Sequence, residues 1–274
     1  MKRILISLLA LTLGLAAFAQ TTAEEFNEKY TRLVNRLGYA GVGIETYLDK
    51  WEAAFPEDGR MLEARCNYCL WKGMTTQVVP KDQSKYLGNK PVLALPDSTG
   101  KRVNYFEESF YDDELFGQAM TWLDKAVELY PLDLVYRADK ITCFLAYEKE
   151  SPDMAVAEMD KLVEQEKKSH PAWVVYGEPV AEGDFSELMS TYCVRLWNIA
   201  TPQAYDAFFN LSTKLSKLYP KNSNYIDNLG SYWFVAKNNP KKAMKFYKKA
   251  LKLNPSDEVA QTNRKIIEKR KTAK

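Results

Sequence analysis

Only one histidine, His170, and four cysteines occur in 274 residues. One imidazole leaves little room for a histidine-ligated metal or a Ser-His-Asp triad, and four thiols are too few for a disulfide-dense small domain. The phosphate-loop, G-x-S-x-G and H-E-x-x-H patterns are also missing. Beyond the first 19 residues no apolar run is long enough to cross a bilayer as a helix. Glycine and proline are modest at 12 each, and the net charge is +2, so the composition is neither disordered nor collagenous. What is present is a chain 46% hydrophobic and 13% aromatic, which can bury a sizeable core.

The N-terminus reads as a processing signal. Lys2 and Arg3 precede an apolar run from Ile4 to Ala17, and Ala17-Phe18-Ala19 stands before Gln20. A basic start, about 14 apolar residues and a small-x-small site are the three parts of a secretory signal peptide. The run is shorter than the ~20 residues of a membrane-spanning helix, so an uncleaved anchor is the weaker alternative. Residues 1–19 are therefore expected to be removed after Ala19, leaving residues 20–274 in the periplasm or outside the cell. No cysteine follows the run, so lipoprotein processing has no acceptor.

The mature part repeats itself. Four segments close alike: Trp51-Glu-Ala-Ala-Phe-Pro56, Ala126-Val-Glu-Leu-Tyr-Pro131, Leu215-Ser-Lys-Leu-Tyr-Pro220 and Ala250-Leu-Lys-Leu-Asn-Pro255. Each looks like an amphipathic helix stopped by a proline, which cannot continue the helix and restricts the residue before it. The intervals between these prolines are 75, 89 and 35 residues, and Pro171 splits the middle one into 40 and 49. The last interval fits a bare helical hairpin; the others carry insertions.

The hairpin from Pro220 to Pro255 resembles the tetratricopeptide repeat (TPR). Leu229-Gly230 followed by Trp233 is similar to the family's Leu-Gly-x-x-Tyr in its first helix, and Ala243, Tyr247 and Ala250 match the small, aromatic and small positions of the second. Gly230 to Ala243 is one residue longer than the family spacing, which predicts a slightly enlarged turn at Asn238-Asn239-Pro240. Elsewhere the second-helix triple recurs as Ile44, Leu48, Trp51; Ala119, Leu123, Ala126; and Ala155, Met159, Leu162, an i, i+4, i+7 stripe. Pro202 to Leu218 fits less well because Ser212 takes the middle apolar place. First helices are predicted at Ala23–Leu37, Arg60–Lys72, Leu134–Glu148, Phe185–Ile199 and Ser223–Lys237. A final helix is expected from Ser256 to Arg270, N-capped by Ser256, as a polar terminal cap. The expected fold is all-α: an α-α superhelix, or TPR-like solenoid, of about five helix pairs with a loop or β-hairpin inserted in the second repeat.

That insertion spans roughly residues 75–113 and contains Pro80, Pro91 and Pro96, so it is not one helix. Pro91–Leu95 and Lys101–Phe106, joined by Pro96-Asp-Ser-Thr-Gly100, read as a hairpin. It is either a binding element or neutral decoration. Cys66-Asn-Tyr-Cys69 has C-x-x-C spacing, but no second pair completes a zinc site and no strand precedes it as in a thioredoxin motif. Cys66 falls on the small position equivalent to Gly230 and Cys69 on the aromatic one, which favours packing; a Cys66–Cys69 bridge is the alternative in an oxidising compartment. No metal, cofactor or catalytic residue is expected.

The TPR resemblance implies a binding groove lined by the first helices. Carrying its groove positions over gives Asn67, Leu70 and Trp71, then Ala146 and Tyr147, Trp197 and Asn198, and Phe234 and Val235. Trp71, Tyr147, Trp197 and Phe234 would then form a line of aromatic anchors, each a large contact area with few rotors to freeze; a core role is the alternative. The carboxylate clamp of some chaperone-binding members needs paired Lys and Asn, and here Glu63 and Asp227 occupy such positions, so that variant is not expected. Charge supplies a second partner signal. Residues 20–211 hold 20 basic and 32 acidic side chains, residues 212–274 hold 16 basic and 4 acidic. Lys241, Lys242, Lys245, Lys248, Lys249 and Lys252 crowd one helix as a basic patch. These features predict a non-catalytic scaffold for a protein or peptide partner in the bacterial envelope. The alternatives are self-association through opposite-charge halves, contact of the basic end with anionic polymers or lipids, and an envelope enzyme or thiol-redox protein. Nucleic acid is not an expected partner, for want of a stacking platform beside the lysines.

Overall fold

The computed structural model describes residues 22–272, so the signal-peptide segment lies outside the described residues. The described residues form five helical hairpins and a closing helix. They are α1 (Ala23–Leu37) with α2 (Ile44–Ala54), α3 (Gly59–Gly73) with α4 (Asp113–Leu129), and α5 (Leu134–Glu148) with α6 (Asp153–Ser169). Then come α7 (Asp184–Ile199) with α8 (Pro202–Leu218), α9 (Ser223–Ser231) with α10 (Pro240–Leu253), and α11 (Glu258–Thr272). This is an all-α superhelix carrying an inserted sheet.

The same punctuation ends four of the hairpins. Phe55, Tyr130, Tyr219 and Asn254, each before a proline, leave the helical region with φ of −140°, −124°, −120° and −136°, as the proline ring requires of its predecessor. Each amide still donates to the carbonyl four residues back, at Trp51, Ala126, Leu215 and Ala250. Each carbonyl accepts from the N–H of the second residue after its proline: Asp58, Asp133, Asn222 and Asp257. Those four side chains in turn cap the next helix, accepting from the amides of Arg60, Val135, Asn224 and Ala260. A cap of this kind is worth about 1 kcal/mol. Asp257, not the expected Ser256, is thus the N-cap of α11: in the three equivalent connections the capping residue also stands two places after the proline.

The second-helix triples form the interior. Ile44, Leu48 and Trp51, Ala119, Leu123 and Ala126, Ala155, Met159 and Leu162, and Ala243, Tyr247 and Ala250 are all fully buried. Ser212 is buried too, and its Oγ accepts from Asn228 Nδ2 at 3.2 Å; a satisfied hydroxyl takes the place of an apolar group. One continuous core runs from Tyr30 to Tyr232. A second one joins α9, α10 and α11 around Phe234, Tyr247 and Ile267. Gly230 is the point of closest approach there, since a Cβ on it would lie 2.6 Å from Tyr247 Cε1.

The extra residue of this last hairpin is not in the turn. It is absorbed in a π-helical turn at Tyr232–Ala236, where the Lys237 amide donates to Tyr232 at 3.2 Å. A π-turn takes one more residue than an α-turn and rotates the residues beyond it onto a different face.

The insertion is larger than a hairpin. β1 (Met74–Lys81), β2 (Leu93–Pro96) and β3 (Arg102–Tyr111) make an antiparallel sheet in the order β1-β3-β2. The expected turn is present, with Asp97 Oδ1 accepting from the amides of Thr99 and Lys101 and Gly100 at φ +82°. β1 escaped expectation because Pro80 reads as a strand breaker; it lies on an edge strand, where a missing N–H is tolerated. A second, unforeseen hairpin joins α6 to α7: β4 (Val174–Val175) and β5 (Glu178–Pro179) around Tyr176 and Gly177, both at positive φ as a tight two-residue turn demands.

Candidate binding trough

The first helices α1, α3 and α5 present polar side chains to a shared trough. A cavity of about 340 Å³ opens between α1 and α3, and a second of about 220 Å³ continues between α3 and α5. Glu63 and Asn67 line both. This stack of antiparallel hairpins, with first helices lining a trough and second helices buried behind them, decides the architecture. The chain folds as a TPR-like solenoid. No protein-family model matches the sequence, and no curated protein does. Among solved structures it is similar to YrrB, described as a TPR protein with an unusual peptide-binding site, at 14% identity and a TM-score of 0.42 over 90% of this chain and 94% of that one. It is also similar to the Cut9-Hcn1 hetero-tetramer of the APC/C, at 12% identity and a TM-score of 0.36, over 90% of this chain and 46% of that one.

Two departures from a bare TPR-like stack build the rims of the trough. The inserted sheet leaves the C-terminal end of α3 and folds onto the C-terminal ends of α5 and α7. There Glu108, 8% exposed, bonds Lys149 Nζ at 2.7 Å and Lys81 Nζ at 3.2 Å. Burial pushes the Glu108 carboxyl up, but the two ammonium groups outweigh it and hold it below its ordinary value. The tip of the insertion brings Gly88 against Asn198 of α7 and covers a cavity of about 240 Å³ between α5 and α7. On the opposite rim the β4–β5 hairpin is tied to the α4–α5 connection, with the Val174 amide donating to Leu132 and the Gly177 amide to Asp133 Oδ2. Its Tyr176 reaches back 113 residues to donate to Glu63 Oε2 at 2.9 Å, while the Arg60 guanidinium lies 4.9 Å from the tyrosine ring.

Acid groups dominate the floor between the rims. Burial, and then the charge of Asp139, raise Glu63 to about 7. Burial and Asp133 raise Asp139 to about 6. The Tyr176 hydroxyl partly offsets the shift at Glu63. Near neutral pH the floor therefore holds a carboxyl poised between its two forms, and an incoming cation would favour the ionised one.

The expected groove residues divide. Asn67, Leu70 and Trp71 lie in the trough, Trp71 49% exposed and stacked on Tyr39 at 5.5 Å. Ala146 lines the α3–α5 cavity, but Tyr147 turns to α4, stacking on Phe116 at 4.0 Å and donating to Asp113 at 2.7 Å. Trp197 packs inside its own hairpin against Tyr205 and Phe208 at 4.9 and 5.0 Å, and its neighbour Asn198 faces the insertion. In each of these two helices one expected position thus faces a cavity while its aromatic neighbour packs on a second helix. Phe234 is buried beneath Arg270, rotated inward with the π-turn, while Val235 is half exposed. The line of four aromatics reduces to Trp71, whose stacking partner Tyr39 comes from a segment that the repeat pattern does not index, as does Tyr176 at the other end of the trough. Glu63 was visible as the position three before Cys66; Asp139 carried no signal of its own. Asp227 is not in the trough: it is buried against α11.

All six lysines of the basic patch are exposed on α10, whose other face buries Ala243, Met244, Tyr247 and Ala250. Among the described residues none of the six pairs with a carboxylate, and Lys242 Nζ sits 3.2 Å from the centre of the Trp233 ring. The four cysteines are free thiols, with Cys66 and Cys69 buried in α3 as packing residues. Among the described residues no helix is long and apolar enough to cross a membrane.

Proposed function

We propose that the chain is a non-catalytic scaffold that receives an extended segment of a partner protein in the trough between α1, α3 and α5. The observation that carries this reading is the open, amide-rich floor framed by two built rims: Asn27, Asn35 and Asn67 can bond a peptide backbone, and Tyr39 and Trp71 offer exposed aromatic faces. Glu63 and Asp139 disfavour acidic segments and a terminal carboxylate, and they favour neutral or cationic ones. The secretory character of residues 1–19 supports placing this partner in the bacterial envelope; N-terminal sequencing of the exported protein should then begin at Gln20.

The test is selection of 12-residue peptides on residues 20–274, followed by titration of the selected peptides. Trp71→Ala and Asn67→Ala should each weaken binding about tenfold, the loss of roughly 1.4 kcal/mol. Lysine-bearing peptides should bind more tightly as pH rises from 6 to 8, because Glu63 ionises across that range. Affinity unchanged by both substitutions would sink the trough as the site. A second reading is favoured by the unpaired lysine face of α10: attachment to an anionic surface. Sedimentation with anionic and neutral vesicles at low and raised salt tests it, and sedimentation velocity of the chain alone tests contact between opposite-charge halves.

A further inference from the structure

The sequence draws attention to Cys66 and Cys69, yet the fold pairs its thiols differently. Cys69 looks toward Trp122 of α4 and the side chain of Arg65. Cys193 lies 3.6 Å from the Ser212 hydroxyl of α8. Cys66 instead has Cys143 as its neighbour across the junction of α3 and α5, and that thiol is the first cause of the rise in its own pKa. Both line the same cavity of about 220 Å³ in the trough floor. Cys66 is 2% exposed, whereas Cys143 is half-buried.

We propose that Cys66 and Cys143 form a reversible disulfide that ties α3 to α5 across the floor of the trough. The oxidant is a low-molecular-weight disulfide. The more accessible Cys143, as thiolate, attacks one sulfur of the small disulfide, and the sulfur–sulfur bond breaks to expel one small thiolate. Cys66 then loses its proton and attacks the Cys143 sulfur of the mixed disulfide, expelling the second small thiolate. The protein gives up two protons and two electrons; the small disulfide takes both and leaves as two thiols. Burial and the neighbouring thiol raise Cys66 well above its ordinary value, so the second step is the slower and quickens with pH. The bridge would hold together two helices that are joined in sequence only through the inserted sheet and α4, fixing the spacing of the floor beneath Trp71.

The test uses the chain reduced, freed of reductant and incubated with oxidised glutathione at pH 8, then alkylated and digested with trypsin without reduction. The expected result is a mass loss of about 2 Da and a linked pair of peptides, residues 66–72 with residues 141–149. Cys69→Ser should retain the linkage; Cys66→Ser and Cys143→Ser should each abolish it. The bridged protein should melt roughly 5 to 10 °C above the reduced one, a rise absent in Cys143→Ser. A closed loop inside residues 66–72, a lasting glutathione adduct on Cys143, or an unchanged mass would each overturn the proposal. Because the readout is sulfur connectivity, its failure leaves the binding role of the trough untouched.

Discussion

The α9–α11 end and the α3–α7 stretch are built from one unit but put it to different uses. At the end, 35 residues separate Pro220 from Pro255 and the hairpin is bare, basic and closed around its own small core. In the middle, the connections are lengthened by a sheet and by the Tyr176 hairpin, the charge is acidic, and the interior is shared with every neighbour from Tyr30 to Tyr232. Hairpin punctuation survives in both. The difference shows that the repeat supplies a frame whose connections can be extended at either end of the first helices without disturbing the buried second-helix stripe. Local chemistry, a trough in one place and a lysine face in the other, is carried by what the frame leaves free.

The sharpest way to break this comparison is to hollow each core. Trp51→Ala and Tyr247→Ala both empty fully buried sites and should each cost ~3–5 kcal/mol. If the two cores are separable, hydrogen exchange in Tyr247→Ala should accelerate over residues 223–272 alone, whereas Trp51→Ala should loosen the hairpins from α1 to α8. The end region should also respond to pH on its own. Asp227 is buried, and burial first, then Asp257, raise it to about 8 from 3.8; the second oxygen of Asp257 has no other partner. Between those values the folded chain keeps a proton that the unfolded chain has released. Stability of α9–α11 should therefore fall as pH rises from about 4 to about 8, by at most about 1.4 kcal/mol per unit, and level off above. Asp227→Asn should flatten that slope in denaturant titrations.

In the middle region, Lys149→Ala leaves buried Glu108 with only Lys81 and the Tyr86 hydroxyl and should cost roughly 1 to 3 kcal/mol, with faster exchange confined to β1–β3. Tyr176→Phe removes one hydrogen bond to Glu63, about 1 kcal/mol, and should move the Glu63 carboxyl further up in an NMR titration. The smallest effect belongs to the lysine face: Lys245→Glu with Lys248→Glu should change the stability of α10 by no more than about 0.5 kcal/mol.

The frame was legible because proline, the small residues and the apolar triples are local signals. Ala23–Leu37, Leu134–Glu148 and Pro202–Leu218 begin and end where the sequence pattern puts them. The rims were less so. β1 was hidden by a proline that matters only in a central strand, and the Tyr176 hairpin owes its position to the backbone of a distant connection. The trough was legible in Asn67 and Trp71, which follow a firm small-residue register at Cys66. Tyr147 and Trp197 were misplaced because the neighbouring Ala146 and Asn198 take the cavity-facing places, and spacing alone does not separate adjacent positions. Phe234 was misplaced because a residue inserted next to a turn can be taken up inside the helix instead, and composition does not say which.

Tyr176 closes a wall whose floor residue, Glu63, lies more than a hundred positions earlier in the chain. During synthesis the helices around that floor emerge and can stack well before the piece that completes them. A nascent chain halted before the β4–β5 hairpin would thus carry a half-walled channel, completed only by a later-translated segment.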